Sequence, residues 1–298
     1  KLSNFIPDGG IWLNAQRPEW NDANNALVGY GVSMVTLYYL NRHMLFLNKV
    51  LSGVNSVEVE ISSEVVLWFK TIRGVFENYS SHLGGKTEPT FRKNFVVELQ
   101  ENFSKYRSKT YNKISKTSEK LNVVDLLSFN NLVLQHFESS IKNNLNNSLY
   151  SAYNTINIDK TNEINVSSLF PMLEGQVAAL SSGWIKPKEA INILSSLFKS
   201  NMYQPEQNSF MLYPQKKLKR FLDKNIIPDD IVNECNLFKR LIKQKNTEIL
   251  YVDGIGKYRF NESLINSNFL EKKLNLLSKN EMYSKDIQKE RNKVLKYY

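Results

Sequence analysis

Apolar positions recur at helical spacing along most of the chain. The clearest run is 58–81, where Ile61, Val65, Trp68, Phe69, Ile72, Phe76 and Tyr79 fall on one stripe and Gly84-Gly85 ends it. Phe91, Phe95, Leu99, Phe103 and Tyr106 repeat the spacing over 90–111, and a Lys/Ser-rich link at 113–120 leads to a further helix over 121–146. These aromatic stripes predict helix–helix core and hold no cofactor box. Residues 32–51 are apolar on nearly every side, which predicts a helix buried all round rather than an amphipathic one.

Elsewhere the period is lost or broken. Residues 1–17 read as loop and short strand, with Asp8-Gly9-Gly10 marking a turn. Tyr153, Thr155, Ile156 and Ile158 give a short strand or an extended loop. An αα-hairpin follows: a helix over 171–181, a break at Ser182-Gly183, then a helix from Pro187, tolerated in a first turn, to Lys199. Residues 200–228 form a long polar connection. A helix over 229–245 precedes ILYVDGIGKYRF, a β-hairpin near 249–260 with Asp253-Gly254 in its turn, and helices over 262–279 and 283–297 close the chain. No βαβ alternation appears, and GIG at 254–256 opens no helix, so no dinucleotide fingerprint is present. The pattern predicts a mainly α protein, organised as one segment over 1–298 with a small β-hairpin.

Composition narrows the function. The chain has 298 residues, 42% of them hydrophobic, enough for a sizeable core. Asn41, Arg42 and His43 interrupt the longest apolar run, so no membrane span is expected. The lack of a signal-peptide pattern points to the cytoplasm, although a leader removed ahead of Lys1 stays open. Cys235 stands alone, which excludes an internal disulfide, and His43, His82 and His136 show no metal-ligand spacing, so no metal is expected. The net charge of +10 permits an anionic partner. Its basic residues are spread along the chain apart from Lys216, Lys217, Lys219 and Arg220, and such faces are more often solvated than nucleic-acid grooves.

Loop chemistry is most concentrated in PEWNDANNALVGYG, residues 18–31. Asp22 and its neighbouring asparagines either cap the following helix or form a site delivered by it. Trp12 and Trp20 bracket the approach, and their faces suit sugar stacking as well as ordinary packing. Glu174 and Gln176 are the polar residues of a small, apolar helix, exposed or else buried with partners. Glu206, Gln207, Asn208 and Tyr213 lie in the long connection, where they could hydrogen-bond a polyhydroxylated ligand or belong to a wrapped surface loop.

Trp20-Asn21-Asp22 followed by Asn25 resembles the D-W-N-D-G-x-N signature of cellobiose- and chitobiose-type glycoside phosphorylases, with Glu19, Ala23 and Asn24 departing from it. FPMLEGQVAALSSGWIKPKEAINIL at 170–194 and NSFMLYP at 208–214 resemble later helices of large bacterial relatives of these enzymes. The resemblance implies an (α/α)6 toroid, incomplete within this chain, and an inverting phosphorylase or hydrolase acting on oligosaccharides. Asp22 takes the place of the general acid, Trp20 packs against it or the sugar, and Asn21 and Asn25 orient the loop or contact hydroxyls. Inorganic phosphate would be the co-substrate of a phosphorylase, with no other cofactor. A hydrolase would need a base, for which Glu174, Glu206 and Asp253 are the candidates in that order, about 6.5–9.5 Å from the acid. Half a toroid would require the remainder of a larger chain or a partner subunit. The alternatives are a non-catalytic helical scaffold or glycan-binding module and, behind it, a basic helical nucleic-acid binder; no nucleic-acid partner is expected on the main reading.

Overall fold

The computed structural model describes residues 1–15, 22–54, 57–112, 117–158, 162–214, 220 and 223–298, with the backbone alone at Asp22, Asn24 and Asn112. The chain divides into two compact units, Lys1–Gln215 and Lys216–Tyr298.

The first unit runs β1 (Phe5–Ile6), β2 (Gly10–Trp12), α1 (Asp22–Ala26), β3 (Gly31–Ser33), α2 (Met34–Ser52), β4 (Glu58–Ser62), α3 (Ser63–Asn78), α4 (Pro89–Asn112), β5 (Ser118–Asn122) and α5 (Val123–Asn143). It continues with β6 (Leu145–Asn146), β7 (Leu149–Tyr150), β8 (Tyr153–Ile158), β9 (Ile164–Ser168), α6 (Leu173–Ser181), α7 (Pro187–Phe198), β10 (Tyr203–Gln204) and β11 (Ser209–Phe210). Five strands form an antiparallel sheet in the order β1-β2-β3-β8-β9. Helix α4 touches both edge strands of this curled sheet. Phe5 of β1 sits among Phe76 of α3, Phe95 of α4 and Phe137 of α5, with ring centroids 6.1, 5.8 and 5.2 Å away. The aromatic stripes therefore meet the sheet as well as one another.

This sheet overturns the expected (α/α)6 toroid: the architecture is mixed α and β. The physical reason is length. Strands of two to six residues carry too few positions to register a period of two. One of their pairings, β3 with β8, is also non-local, Val32 lying opposite Asn154. The expected all-round burial of residues 32–51 is corrected as well. Helix α2 buries Met34, Leu37, Tyr38, Asn41 and Met44, while Tyr39, Phe46 and Val50 on its other side are exposed. An apolar sequence did not by itself guarantee a neighbour for every face.

A buried polar network joins the sheet to the helices. Asp8, in the left-handed region at φ 61°, pairs with Arg92 of α4 at 3.2 Å. Arg92 also donates to the carbonyls of Pro7, Thr87 and Ile164. The other Asp8 oxygen accepts from Asn143, its N–H donates to Ser140, and its carbonyl accepts from Asn144. Asn154 of β8 donates to Gly9 and Asn144.

The second unit contains β12 (Ile226–Ile227), α8 (Asp229–Glu234), α9 (Asn236–Lys243), β13 (Leu250–Val252), β14 (Tyr258–Phe260), α10 (Ser267–Leu277) and α11 (Glu281–Tyr297), with a three-stranded sheet in the order β12-β14-β13. Its core includes Leu237, Phe238, Leu241, Leu270 and Leu274. The expected helix over 229–245 is broken at Cys235, whose backbone is extended. A carboxylate from α11 repairs the break: Glu290 accepts the Asn236 and Leu237 N–H groups at 3.1 and 2.9 Å and the Cys235 thiol at 3.3 Å. Burial works against the charge of Glu290, yet these donors hold its pKa below the usual range. Burial pushes the Cys235 thiol up to about 11. Asparagine caps recur: Asn122, Asn266 and Asn280 accept N–H groups at the starts of α5, α10 and α11. Residues 216–298 hold 19 of the 39 Lys and Arg but only 11 of the 29 Asp and Glu. They account for +8 of the net charge of +10, so the charge is concentrated in this unit rather than evenly spread.

Two outcomes follow from the packing. A Cβ on Gly175 would lie 2.9 Å from the Ala152 backbone, so Gly175→Ala should destabilise the first unit by about 1–3 kcal/mol, read as a lower urea midpoint. His136 is buried between Phe76 and Phe95, and burial lowers its pKa from 6.5 to about 4 despite its contact with the Phe76 carbonyl. The unfolded chain then binds the extra proton, so this residue's contribution is full above pH 6.5 and is lost as pH falls toward 4, by about 3 kcal/mol. His136→Phe should lose less stability than the parent over that window in paired urea titrations.

Candidate functional site

The described end of the Asp22 stretch, Gly29–Gly31, is held by the sheet. The Trp12 indole donates to the Gly29 carbonyl at 2.9 Å. The Leu13 N–H donates to the Gly31 carbonyl, and the Gly29 N–H donates to the Leu13 carbonyl. Tyr30 donates its hydroxyl to the Ala26 carbonyl, and the Gly31 N–H donates to Leu27 at 2.6 Å. Gly31 is required by this close approach, since a Cβ there would strike Leu27. Ser33 then ends β3 and caps α2, its Oγ accepting the Thr36 N–H at 3.0 Å. A strand thus stands between the loop and the helix that the sequence joined directly.

Asp22 is the first residue of α1, and Trp20 and Asn21 lie outside the described residues. Asn25 is exposed on α1. Trp12 faces a groove of about 540 Å³ between the sheet and α4, lined also by Ile6, Val96, Gln100, Ile156 and Ile164. The groove walls are mainly apolar, with Lys93, Glu101 and Lys105 among its polar residues. Sequence reasoning missed these α4 side chains, because a helix read for its aromatic stripe was assigned wholly to core. The polar residues Lys93, Gln100 and Lys105 interleaved with Val96 and Val97 were the available signal.

The remaining candidates fall in other parts of the first unit. Gln176 is buried on α6, and its amide is committed to backbone: Oε1 accepts the Tyr150 N–H at 2.8 Å, while Nε2 donates to the carbonyls of Tyr150 and Met172 at 2.6 and 3.1 Å. It ties α6 to β7. Glu174 sits in the first turn of α6, half-buried. The Leu173 N–H donates to the Leu212 carbonyl, which brings the segment before Pro214 against the start of that helix. There Tyr213 is exposed and meets Phe170 edge-on at 6.4 Å. Glu206, Gln207 and Asn208 form the exposed tip between β10 and β11. Asn208 adopts φ 45° and accepts the Tyr203 hydroxyl at 3.0 Å, and Gln207 accepts from Ser209 at 3.4 Å. The structure therefore joins Trp12 to the stem of the Asp22 stretch and sets Tyr213 beside the start of α6. In the second unit Asp253 is taken up by its own hairpin: it accepts the Ile255 and Lys257 N–H groups and pairs with Arg259 at 2.5 Å. The Arg259 hydrogen bond is the main cause of its lowered pKa. Among the described residues no cluster of His, Cys, Asp and Glu could hold a metal ion, and no helix is long and apolar enough to cross a membrane.

Residues 218–298 match the family described as GH149 phosphorylase insertion domain 2, a span that takes in nearly all of the second unit. No curated protein matches the chain.

The Gln176 geometry sets a test of role. In Gln176→Leu the Tyr150 N–H and carbonyl lose their partner, at about 1–3 kcal/mol for each stranded group. The urea midpoint should fall sharply. An unchanged midpoint would show that this amide is not the tie between α6 and β7.

Proposed function

We propose that the chain is a carbohydrate-active protein of glycoside phosphorylase type, acting on oligosaccharides, with Asp22 as general acid. One observation carries the reading: two independent signals occur in a single chain. Trp20-Asn21-Asp22 with Asn25 resembles a phosphorylase acid loop, and 218–298 is similar to a phosphorylase insertion domain. They lie at opposite ends of the sequence.

In the proposed reaction a phosphate oxygen forms a bond to the anomeric carbon from the face opposite the leaving sugar. The bond to the bridging oxygen breaks, and the Asp22 proton passes to that oxygen, giving inversion and a sugar phosphate. Phosphate is already nucleophilic, so one acid suffices, whereas hydrolysis needs a second carboxylate to activate water. Glu174 is the first candidate for that base. Glu206 follows, from the tip between β10 and β11. Asp253 ranks last, because its oxygens are occupied by Arg259 and the turn amides. A general acid must keep its proton near neutral pH, which calls for a raised pKa. Glu19, by like-charge repulsion, and packing against Trp20 are the proposed causes. Trp12 is proposed as a sugar-facing residue at the groove beside the loop stem, with Asn21 and Asn25 contacting hydroxyls. Phosphate is the sole co-substrate.

Asp22→Asn keeps the shape of the side chain but has no proton to give. Turnover of a natural oligosaccharide should fall roughly 10²–10⁴-fold, and far less with an activated aryl leaving group. Both substrates are assayed with and without phosphate. Equal turnover of parent and variant on the natural glycoside would reduce Asp22 to a helix-starting residue. Glycan binding without turnover in the parent would favour a non-catalytic glycan-binding module.

A further inference from the structure

The strand register explains why the groove at Trp12 is apolar. Trp12 lies opposite Val32, and Val32 lies opposite Asn154. Directly opposite residues share a face and side chains alternate along a strand, so Ile156 and Ile158 lie on the Trp12 face of the sheet. Ile164, opposite Ile158, and Ile6, opposite Gly10, lie there too. This face lines the groove, and α4 spans the two edge strands and adds Val96 and Val97. The groove is thus the trough of a curled sheet roofed by a helix. Small-molecule sites favour such concave, mainly apolar spaces, and about 540 Å³ is within their usual size. The α4 lining runs from Lys93 to Lys105, roughly 18 Å at the helical rise.

Several polar groups along the trough are already spent. The Trp12 indole N–H goes to the Gly29 carbonyl, the Gln100 amide to the Ser3 carbonyl and the Asn4 side chain, and the Lys93 ammonium to the Asn162 side chain. The interior therefore offers C–H surface from branched aliphatic side chains and an indole ring. Val97 and Ile158 are 39% and 51% exposed, so this surface is open to water. A long apolar trough with few donors or acceptors to satisfy matches an alkyl chain. At its other end Glu101 and Lys105 stand one turn apart on α4 with opposite charges, and Ser104 adjoins Lys105. Adjacent opposite charges favour neither an anionic nor a cationic head, so charge complementarity selects an uncharged, hydroxyl-bearing one. We propose that the trough holds the aliphatic chain of an uncharged amphiphile. The chain site stands on the groove itself. Only the head rests on the proposed function, which, with a sugar at Trp12, makes the ligand a glycoside with an alkyl aglycone.

The test titrates the full chain calorimetrically with hexyl, octyl and decyl glucosides, each below its micelle concentration, and with glycerol ethers of the same three chains. Affinity should rise roughly tenfold for every two carbons added, as expected for methylenes leaving water. Ile158→Asn and Val97→Asp should each weaken decyl glucoside binding about tenfold while circular dichroism and the urea midpoint stay unchanged. Both positions are exposed, and they lie on different elements, so one variant serves if the other fails to fold. The proposal is overturned if affinity does not depend on chain length, if free glucose binds as tightly as decyl glucoside, or if decanoate binds and the neutral series do not. It is also overturned if binding appears only above the micelle concentration or if both folded variants bind like the parent. A dimer that Ile158→Asn dissociates, with no alkyl binding, would assign the groove to a second copy and overturn it as well. Chain-length dependence in the glycerol ethers alone would support the chain site and count against the sugar head. Turnover by Asp22 is judged separately in the glycoside assay, so either reading can fail without the other.

Discussion

The buried ion pair between Asp8 and Arg92 is the constraint on which the first unit depends. Two charges removed from water are tolerated only when each finds a full set of partners. Here each does. Burial is the larger influence on Arg92 and lowers its pKa, with Asp8 opposing the shift. The guanidinium answers three carbonyls as well as the carboxylate, and these come from the β1–β2 turn, the approach to α4 and the start of β9. Asp8 reaches α5 through Ser140, Asn143 and Asn144. One residue in a turn thereby fixes how a helix layer and a sheet edge meet, and the aromatic contacts around Phe5 fill the space that this geometry leaves.

The same logic of occupied backbone groups positions the candidate site. Trp12 answers the Gly29 carbonyl with its ring nitrogen, and Gly31 allows the α1 turn to fold directly onto β3. The stem of the Asp22 stretch is therefore a continuation of the sheet, not an appendage of α2. At α6, Gln176 imitates a strand, pairing with both polar groups of Tyr150. A side chain that looked available for a ligand is consumed in holding the fold. Buried amides act either way, and only the partner list separates the two roles.

The second unit solves a different problem. A helix interrupted at Cys235 exposes the first N–H groups of its continuation, and Glu290 covers them from α11. Arg240–Asp286 ties α9 to α11 and Lys293–Glu234 ties α11 to α8, so acidic residues are drawn into structural pairs while many lysines remain outward. This leaves a strongly basic unit within a chain whose other unit is nearly neutral.

The sequence by itself determined the helices. The stripe ending at Tyr79, the repeat from Phe91 to Tyr106 and the αα-hairpin around Pro187 correspond to α3, α4, α6 and α7, because each spans several turns and repeats its period. It also marked β8 and the turn at Asp253-Gly254, where β-branched residues or a glycine turn act within a few positions. Only the tertiary structure decided the sheet. Its strands are too short to declare themselves, and the pairing that joins its two halves, β3 with β8, brings together residues more than a hundred positions apart, as Val32 and Asn154 are. It also decided which face of α2 has a neighbour, that Asp8 is a hub rather than an ordinary turn residue, and that Gln176 faces backbone. At Trp68 it left a buried donor with no partner among the described residues, within a stripe that the sequence assigned wholly to core. These outcomes depend on which groups distant segments bring together, and a local pattern of apolar and polar residues holds no record of that.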